Sequence, residues 1–560
     1  MSRGAVLRER DLAIVLPDGV VLRADVYRDP AAAPRPTLLQ YTAYDKSNWA
    51  SVNGVVNPER AVDAGFVVVV VDARGRFRSE GGFRPFVDTG PDAAACIEWA
   101  AAQPWSSGRV GMYGASNNGV PQWQVLRKKP AALGAIVPHF TASEFDAGWV
   151  WRGGAFNLGF NLWWSLANLA PDQVRRAGGP PAALAAALRD PDTEFRRLPL
   201  EEVPALDGVA PHYREWLESP PGSPYWRALS ARGEMSAGDI PVLHVAGWYN
   251  VHLDGNLANH AAIAAAGGPA ARAQRLVIGP WTAWMPAFQG DTCGPERRFP
   301  DSLAVDVEGM ALAWFAHHLA DGPDAALPPV RIYVMGADTW RDEQEWPLAR
   351  ARTEPWYLHA GGTLSPDEPG DEPPARYVHD PRDPVPTRGG GTYLPAAPAN
   401  VGPMDRADLY SRPDVLLYRS APLTGAVEVT GPVRAVVHLR TDAPATDVTV
   451  TLVDLHPDGR STLLCDGIRR VSAAEIGAAG DEPVRIEVDL AATSNLFRPG
   501  HAIGVEVASS SFPKFDRHPG TADGRARSDA DLRVARQTVL HEGAYPSAVL
   551  LPLVPTEGHA

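Results

Sequence analysis

Cysteine is scarce in this chain. The 560 residues hold three, Cys96, Cys293 and Cys465, too few and too scattered for a disulfide framework or a zinc-ligand spacing. Free thiols in a reducing compartment are the expectation. Basic charge is also in deficit: 52 Lys and Arg against 66 Asp and Glu give a formal charge of -14. That sign excludes a general nucleic-acid or anionic-membrane binder, which needs a basic surface to neutralise phosphates. Long apolar runs are missing, since none approaches the roughly 18 residues a spanning helix requires. The opening segment breaks any signal-peptide core with Arg8, Glu9, Arg10 and Asp11, so a cytoplasmic location is expected. No ligand-spaced cluster implies a metal, and no motif implies an organic cofactor. The partner expected is a small-molecule substrate, and self-association is left open.

Aromatic and aliphatic residues are plentiful. Hydrophobic residues make up 45% of the chain and include 17 Trp, enough for sizeable cores and against overall disorder. The length exceeds what one core supports, so two or three domains are expected. The bias toward Ala, Arg, Pro and Gly is of the kind a GC-rich bacterial genome produces.

Between residues 11 and 145, short β-branched runs alternate with helical stretches, the pattern of a mostly parallel sheet covered by helices. Residues 11–17 and 21–28 flank Asp18-Gly19 as a hairpin. Residues 37–41, 66–74, 109–114 and 134–139 read as short buried strands, and 92–103 as a helix on the sheet. From about 146 to 235 the chain is rich in Trp and Phe, reads as helix at 181–198, and offers no convincing strand. The sheet pattern resumes at 240–250, 274–281 and 330–336. After about 351 many short strands with turn signals suggest a β-sandwich of jelly-roll type. The fold class expected is therefore α/β, with a discontinuous core (1–145 and 236–350), an inserted helical cap (146–235) and a C-terminal sandwich (351–560).

One motif carries chemistry. Residues 110–119 form a strand, a turn of small residues around Ser116, and the start of a helix, the context in which Gly-x-Ser-x-x-Gly presents a nucleophile above a sheet edge. With Ala43-Tyr44-Asp45-Lys46, Asp72-Ala73-Arg74-Gly75, Gly247-Trp248-Tyr249, Gly279-Pro280-Trp281-Thr282 and the Ser509–Arg517 stretch, the chain resembles the cocaine esterase and α-amino acid ester hydrolase group. These are the CocE/NonD hydrolases, related to X-Pro dipeptidyl peptidases. The resemblance covers nearly the whole chain and implies an α/β-hydrolase core, a helical cap and a jelly roll. It implies Ser116 as nucleophile, and the Tyr44 phenol and the Asn117 backbone amide as the two donors to an oxyanion.

Two positions depart from that pattern. The family's acid follows Gly-Trp-Tyr, where this chain has Asn250, and its base follows Gly-Pro-Trp-Ser/Thr, where this chain has Ala283. A serine hydroxyl is a weak nucleophile without a proton acceptor. His139, at the end of the strand beside the elbow, is the best surrogate, weighed against a histidine simply bonded to a loop carbonyl. His252 and Asp254 lie near the acid loop. Trp149, Trp151, Trp163 and Trp164 could wall a substrate pocket or pack the cap against the core. Tyr249 and Trp284 adjoin the altered acid and base positions.

Three readings follow. The first is acyl chemistry, by hydrolase, acylase or acyltransferase, on a small ester, amide or thioester through Ser116. The second is non-hydrolytic carbonyl chemistry such as cyclisation, elimination or rearrangement in the same pocket. The third is a non-catalytic ligand-binding protein.

Overall fold

Five consecutive valines, Val67–Val71, are all buried. A strand can be apolar on both faces only inside a covered parallel sheet, and that is where this one lies. In the computed structural model, which describes residues 6–179, 182–237, 240–282, 296, 304–395 and 400–555, it is β4 of a ten-stranded sheet. The chain runs β1 (Leu7–Val15), β2 (Val21–Arg28), β3 (Arg35–Thr42), β4 (Val67–Asp72), β5 (Ser106–Ala115) and β6 (Leu133–His139). It leaves the sheet for a small ribbon, β7 (Trp151–Arg152) and β8 (Ala155–Phe156). It returns as β9 (Leu243–Gly247), β10 (Arg275–Gly279), β11 (Val330–Val334) and β12 (Thr339–Glu343). The spatial order is β1-β2-β4-β3-β5-β6-β9-β10-β11-β12. Pairing from β4 through β11 is parallel, and the outer β1/β2, β2/β4 and β11/β12 pairs are antiparallel. Helices Thr89–Ala101 and Val307–Ala320 bury Cys96, Ile97, Trp314 and Phe315 against it.

The segment between β6 and β9 is the inserted cap. It is mainly helical, but Gly153 and Gly154, both at positive φ, turn the chain tightly enough to make the β7–β8 ribbon, a feature the aromatic-rich sequence did not announce. The helix expected over 181–198 is two, Ala182–Arg189 and Pro191–Arg196. It breaks at Asp190, whose carboxylate caps the second by accepting from the Thr193 amide at 3.3 Å.

Beyond residue 351 come β13 (Arg352–His359), β14 (Thr363–Ser365), β15 (Ala375–His379), β16 (Leu416–Arg419), β17 (Val427–Thr441), β18 (Thr446–Leu455), β19 (Ser461–Val471), β20 (Val484–Phe497), β21 (Ala502–Ala508), β22 (Ala535–Val539) and β23 (Ala548–Val554). They form a sandwich whose interior includes Val437, Val450, Leu463, Val488 and Val505. One apolar cluster joins these residues to Trp248, Ile278 and Tyr333 of the first sheet. The jelly roll and the hydrolase core therefore share a hydrophobic interior. No helix among the described residues is long and apolar enough to cross a membrane.

Candidate active site

β5 ends at Ala115, and Ser116 follows in the left-handed region at φ 54°. That strain, in a residue with a Cβ, is tolerated where the surroundings over-determine the turn. They do so here: a Cβ on Gly114 would lie 2.4 Å from the Asn118 carbonyl oxygen, and one on Gly119 would lie 2.5 Å from Thr141. Gln122, fully buried, donates to the Gly114 carbonyl at 3.2 Å and accepts from the Val137 amide at 2.9 Å. The Asn117 amide sits in the first turn of the helical run that starts at Ser116, where N–H groups have no partner four residues back and point outward.

The loop after β3 brings Tyr44 to this turn. Its phenol neighbours the Ser116 side chain and accepts a hydrogen bond from Trp164 Nε1 at 2.9 Å. Burial pushes its pKa well above the ordinary tyrosine value, so the hydroxyl stays a donor. Two buried cations hold the loop. Lys46 pairs with Asp11 at 2.7 Å and Asp25 at 3.1 Å. Arg76, fully buried, donates to the carbonyls of Ala43 at 2.9 Å, Leu169 at 2.7 Å and Asn168 at 3.0 Å. It thereby ties the Tyr44 loop to the cap. Its pKa is lowered by burial to about 10, so it remains charged at neutral pH.

At the acid position, β9 ends in a buried turn. Asn250 Nδ2 donates to the Thr282 carbonyl at 2.9 Å, and Oδ1 accepts from the His252 amide at 2.8 Å. Both ends of the carboxamide are engaged by backbone, and the Thr282 carbonyl could not accept from a carboxylate. Asn250 thus fastens this turn to the strand end that precedes position 283. Ala283 and Trp284 lie outside the described residues.

His139 and His252 are both buried, and neither ring has a hydrogen-bond partner among the described residues. Desolvation pulls each down to about 3, leaving neutral imidazoles. His139 ends β6 in register with Ala115, next to the elbow but not bonded to Ser116. His252 stacks on Trp149 with ring centres 3.7 Å apart. Asp254 is paired with Arg152 at 2.9 Å.

The cap aromatics divide. Trp164 reaches Tyr44 directly and stacks on Phe160 and Trp216. Trp149 is fully buried between His252 and the rings of Phe86, Phe145 and Phe160. Trp163 is half-buried against the same cluster. Trp151 instead lines a cavity of about 720 Å³ between the cap and the jelly roll. Tyr249 points into the shared interior, donating to the Leu463 carbonyl at 3.0 Å. Phe86, Trp216 and Tyr393 also join the aromatic cluster, and no motif marks them in the sequence. The last comes from a jelly-roll loop, packs on Phe160 and donates to Asn168 at 3.1 Å. Only the chain crossing from one domain to another brings it here.

The X-Pro dipeptidyl-peptidase (S15 family) model matches residues 18–282, and the X-Pro dipeptidyl-peptidase C-terminal non-catalytic domain matches residues 324–550. Cocaine esterase from Rhodococcus sp. is 35% identical over 578 residues, covering 97% of this chain and 98% of that one. The chain belongs to the CocE/NonD hydrolase family. A putative serine esterase of Mycobacterium bovis is 26% identical, with 92% of each chain covered. Two solved structures share the CocE/NonD fold over 99% of this chain and 97% of their own, each at 23% identity. They are an aminopeptidase from a marine-sediment Thaumarchaeota archaeon (TM-score 0.81) and an α-amino acid ester hydrolase (TM-score 0.78). CocE/NonD membership makes the chain a serine-hydrolase homologue.

Proposed function

We propose that Ser116 Oγ attacks the carbonyl of a small ester or thioester, its proton passing to solvent water because the usual acid and base are absent, with the Tyr44 hydroxyl and the Asn117 amide receiving the oxyanion and the thiolate or aryl oxide leaving as the tetrahedral adduct collapses. The observation that carries this reading is the strained Ser116 turn with the Tyr44 phenol beside it. Strain of that kind persists where function requires it. Ala283 supplies no proton acceptor, and Asn250 supplies no negative charge to stabilise an imidazolium. Loss of the base in another serine hydrolase costs about a millionfold, so turnover here is slow. It favours leaving groups that depart without protonation: thiolates and aryl oxides leave as anions, whereas an amine must be protonated as it leaves. Amides are therefore the poorest substrates.

The test is hydrolysis of matched aryl ester, thioester and anilide substrates. Thioester and aryl ester should turn over while the anilide does not. Ser116→Ala should abolish the reaction, and Tyr44→Phe should lower kcat/KM by about 10²–10³-fold, the usual worth of an oxyanion donor. Unchanged turnover in Ser116→Ala would sink the reading.

The full engagement of Asn250 by backbone favours a second reading, non-hydrolytic carbonyl chemistry in the same pocket. There Tyr44→Phe would harm activity more than Ser116→Ala.

A further inference from the structure

At the far end of β18, Asp454 stands in register with Thr462 of β19 and with Ile503 of β21. The tight turn after β18 carries His456, closed by its amide donating to the Arg460 carbonyl at 2.9 Å. The turn before β21 carries His501. Three adjacent strand ends thus bring one carboxylate and two imidazoles together, although 45 residues separate the histidines in sequence. The Asp454 oxygens lie 2.8 Å from His501 Nδ1 and 4.0 Å from His456 Nε2. The three ligand atoms all fall within 4.8 Å of one another, and the two rings have centres 4.5 Å apart. A tetrahedral ion with ligands at about 2.1 Å needs ligand atoms about 3.4 Å apart, a spacing that small side-chain rotations would produce here.

The charge balance points the same way. Asp454 is 5% exposed, and among the described residues no Lys or Arg pairs with it; its polar side-chain neighbours there are the two histidines. A buried carboxylate without a cation is costly. The cluster opens on a cavity of about 310 Å³ lined also by Glu296, Asp338, Asp405 and Thr462. Of the two arginines on its wall, Arg460 pairs with Asp458 at 2.8 Å and also lies 3.5 Å from His456 Nδ1, the ring nitrogen facing away from Asp454, and Arg498 pairs with Asp338 at 3.7 Å. Thr462 Oγ1 lies 2.9 Å from His456 Nε2, at the ring nitrogen that faces Asp454.

We propose that Asp454, His456 and His501 bind one divalent transition-metal ion of the zinc type, clipping together two neighbouring turns of the jelly roll. Two imidazoles and a carboxylate suit zinc, with water completing the shell. The test uses untagged full-length protein, stripped with chelator and dialysed, then titrated with zinc chloride by calorimetry while bound zinc is counted by mass spectrometry. One equivalent should bind at pH 7.5 and raise the Tm. Affinity should fall on acidification, because protons compete with the metal for its ligand atoms. His501→Ala should weaken binding at least about tenfold, or 1.4 kcal/mol. If that variant fails to fold, His456→Gln, which retains a partner for Thr462, should do the same. A double His317→Ala/His318→Ala variant, altering another adjacent histidine pair, should bind normally. No uptake at roughly 100 µM zinc, binding by the His501 and His456 variants as tight as by the unmodified protein, or loss only in the His317/His318 variant would each overturn the proposal.

Discussion

Asn250 differs from an aspartate by one group, and that group decides what it can do. Its Nδ2 donates to a carbonyl that a carboxylate would face as one acceptor facing another. Asn250→Asp should therefore lower stability by about 1–3 kcal/mol, the cost of a buried unpaired polar group, read as a lower urea midpoint. Unchanged stability would mean that the tie to Thr282 carries no weight. Ser116 is readable from sequence because the small residues of the elbow fix its turn, whereas Tyr44 is marked only through the family resemblance that Ala43-Tyr44-Asp45-Lys46 carries. The role of Asn250 is not readable. Its partners lie 2 and 32 residues away, and the residue type alone says only that a charge is missing.

At the scale of elements, Arg76 links the Tyr44 loop to the end of the cap helices through three backbone carbonyls. Arg76→Met should lower the Tm, since each carbonyl left without a partner costs about 1–3 kcal/mol. It should also lower turnover by displacing Tyr44. A double-mutant cycle separates positioning from general damage: added to Tyr44→Phe, Arg76→Met should reduce activity little further. A full additional loss would make Arg76 merely structural. The parallel strands were legible because buried β-branched runs have few alternatives. The β7–β8 ribbon and the break at Asp190 were not, because a two-residue pairing leaves no periodicity and a helix-rich composition continues across the cap.

Across the whole molecule, burial is paid for by acid sensitivity. His139, His212, His252 and His518 are each pulled down to about 3, with desolvation the first cause. In the unfolded chain each titrates near 6.5. Below about pH 6.5 the unfolded state binds more protons than the folded one, so stability falls with pH down toward 3. The Tm should drop steadily between pH 7 and pH 5, and the drop should shrink in His212→Phe, which has no proton to gain. A Tm flat over that range would contradict the buried neutral state. Composition and pattern made the layered architecture legible. They could not reveal that the two sheets share one apolar cluster, nor that Tyr393 of the jelly roll reaches the aromatic cluster beside Tyr44, because both depend on contacts between domains.

The most direct measurement is intact-protein mass spectrometry after incubation with a small activated serine-directed phosphonate, run in parallel on Ser116→Ala and Tyr44→Phe. One adduct per chain is expected, forming slowly, absent in Ser116→Ala and formed more slowly still in Tyr44→Phe. No adduct on the unmodified chain, or an adduct that persists in Ser116→Ala, would contradict a nucleophilic Ser116 served by the Tyr44 and Asn117 donors.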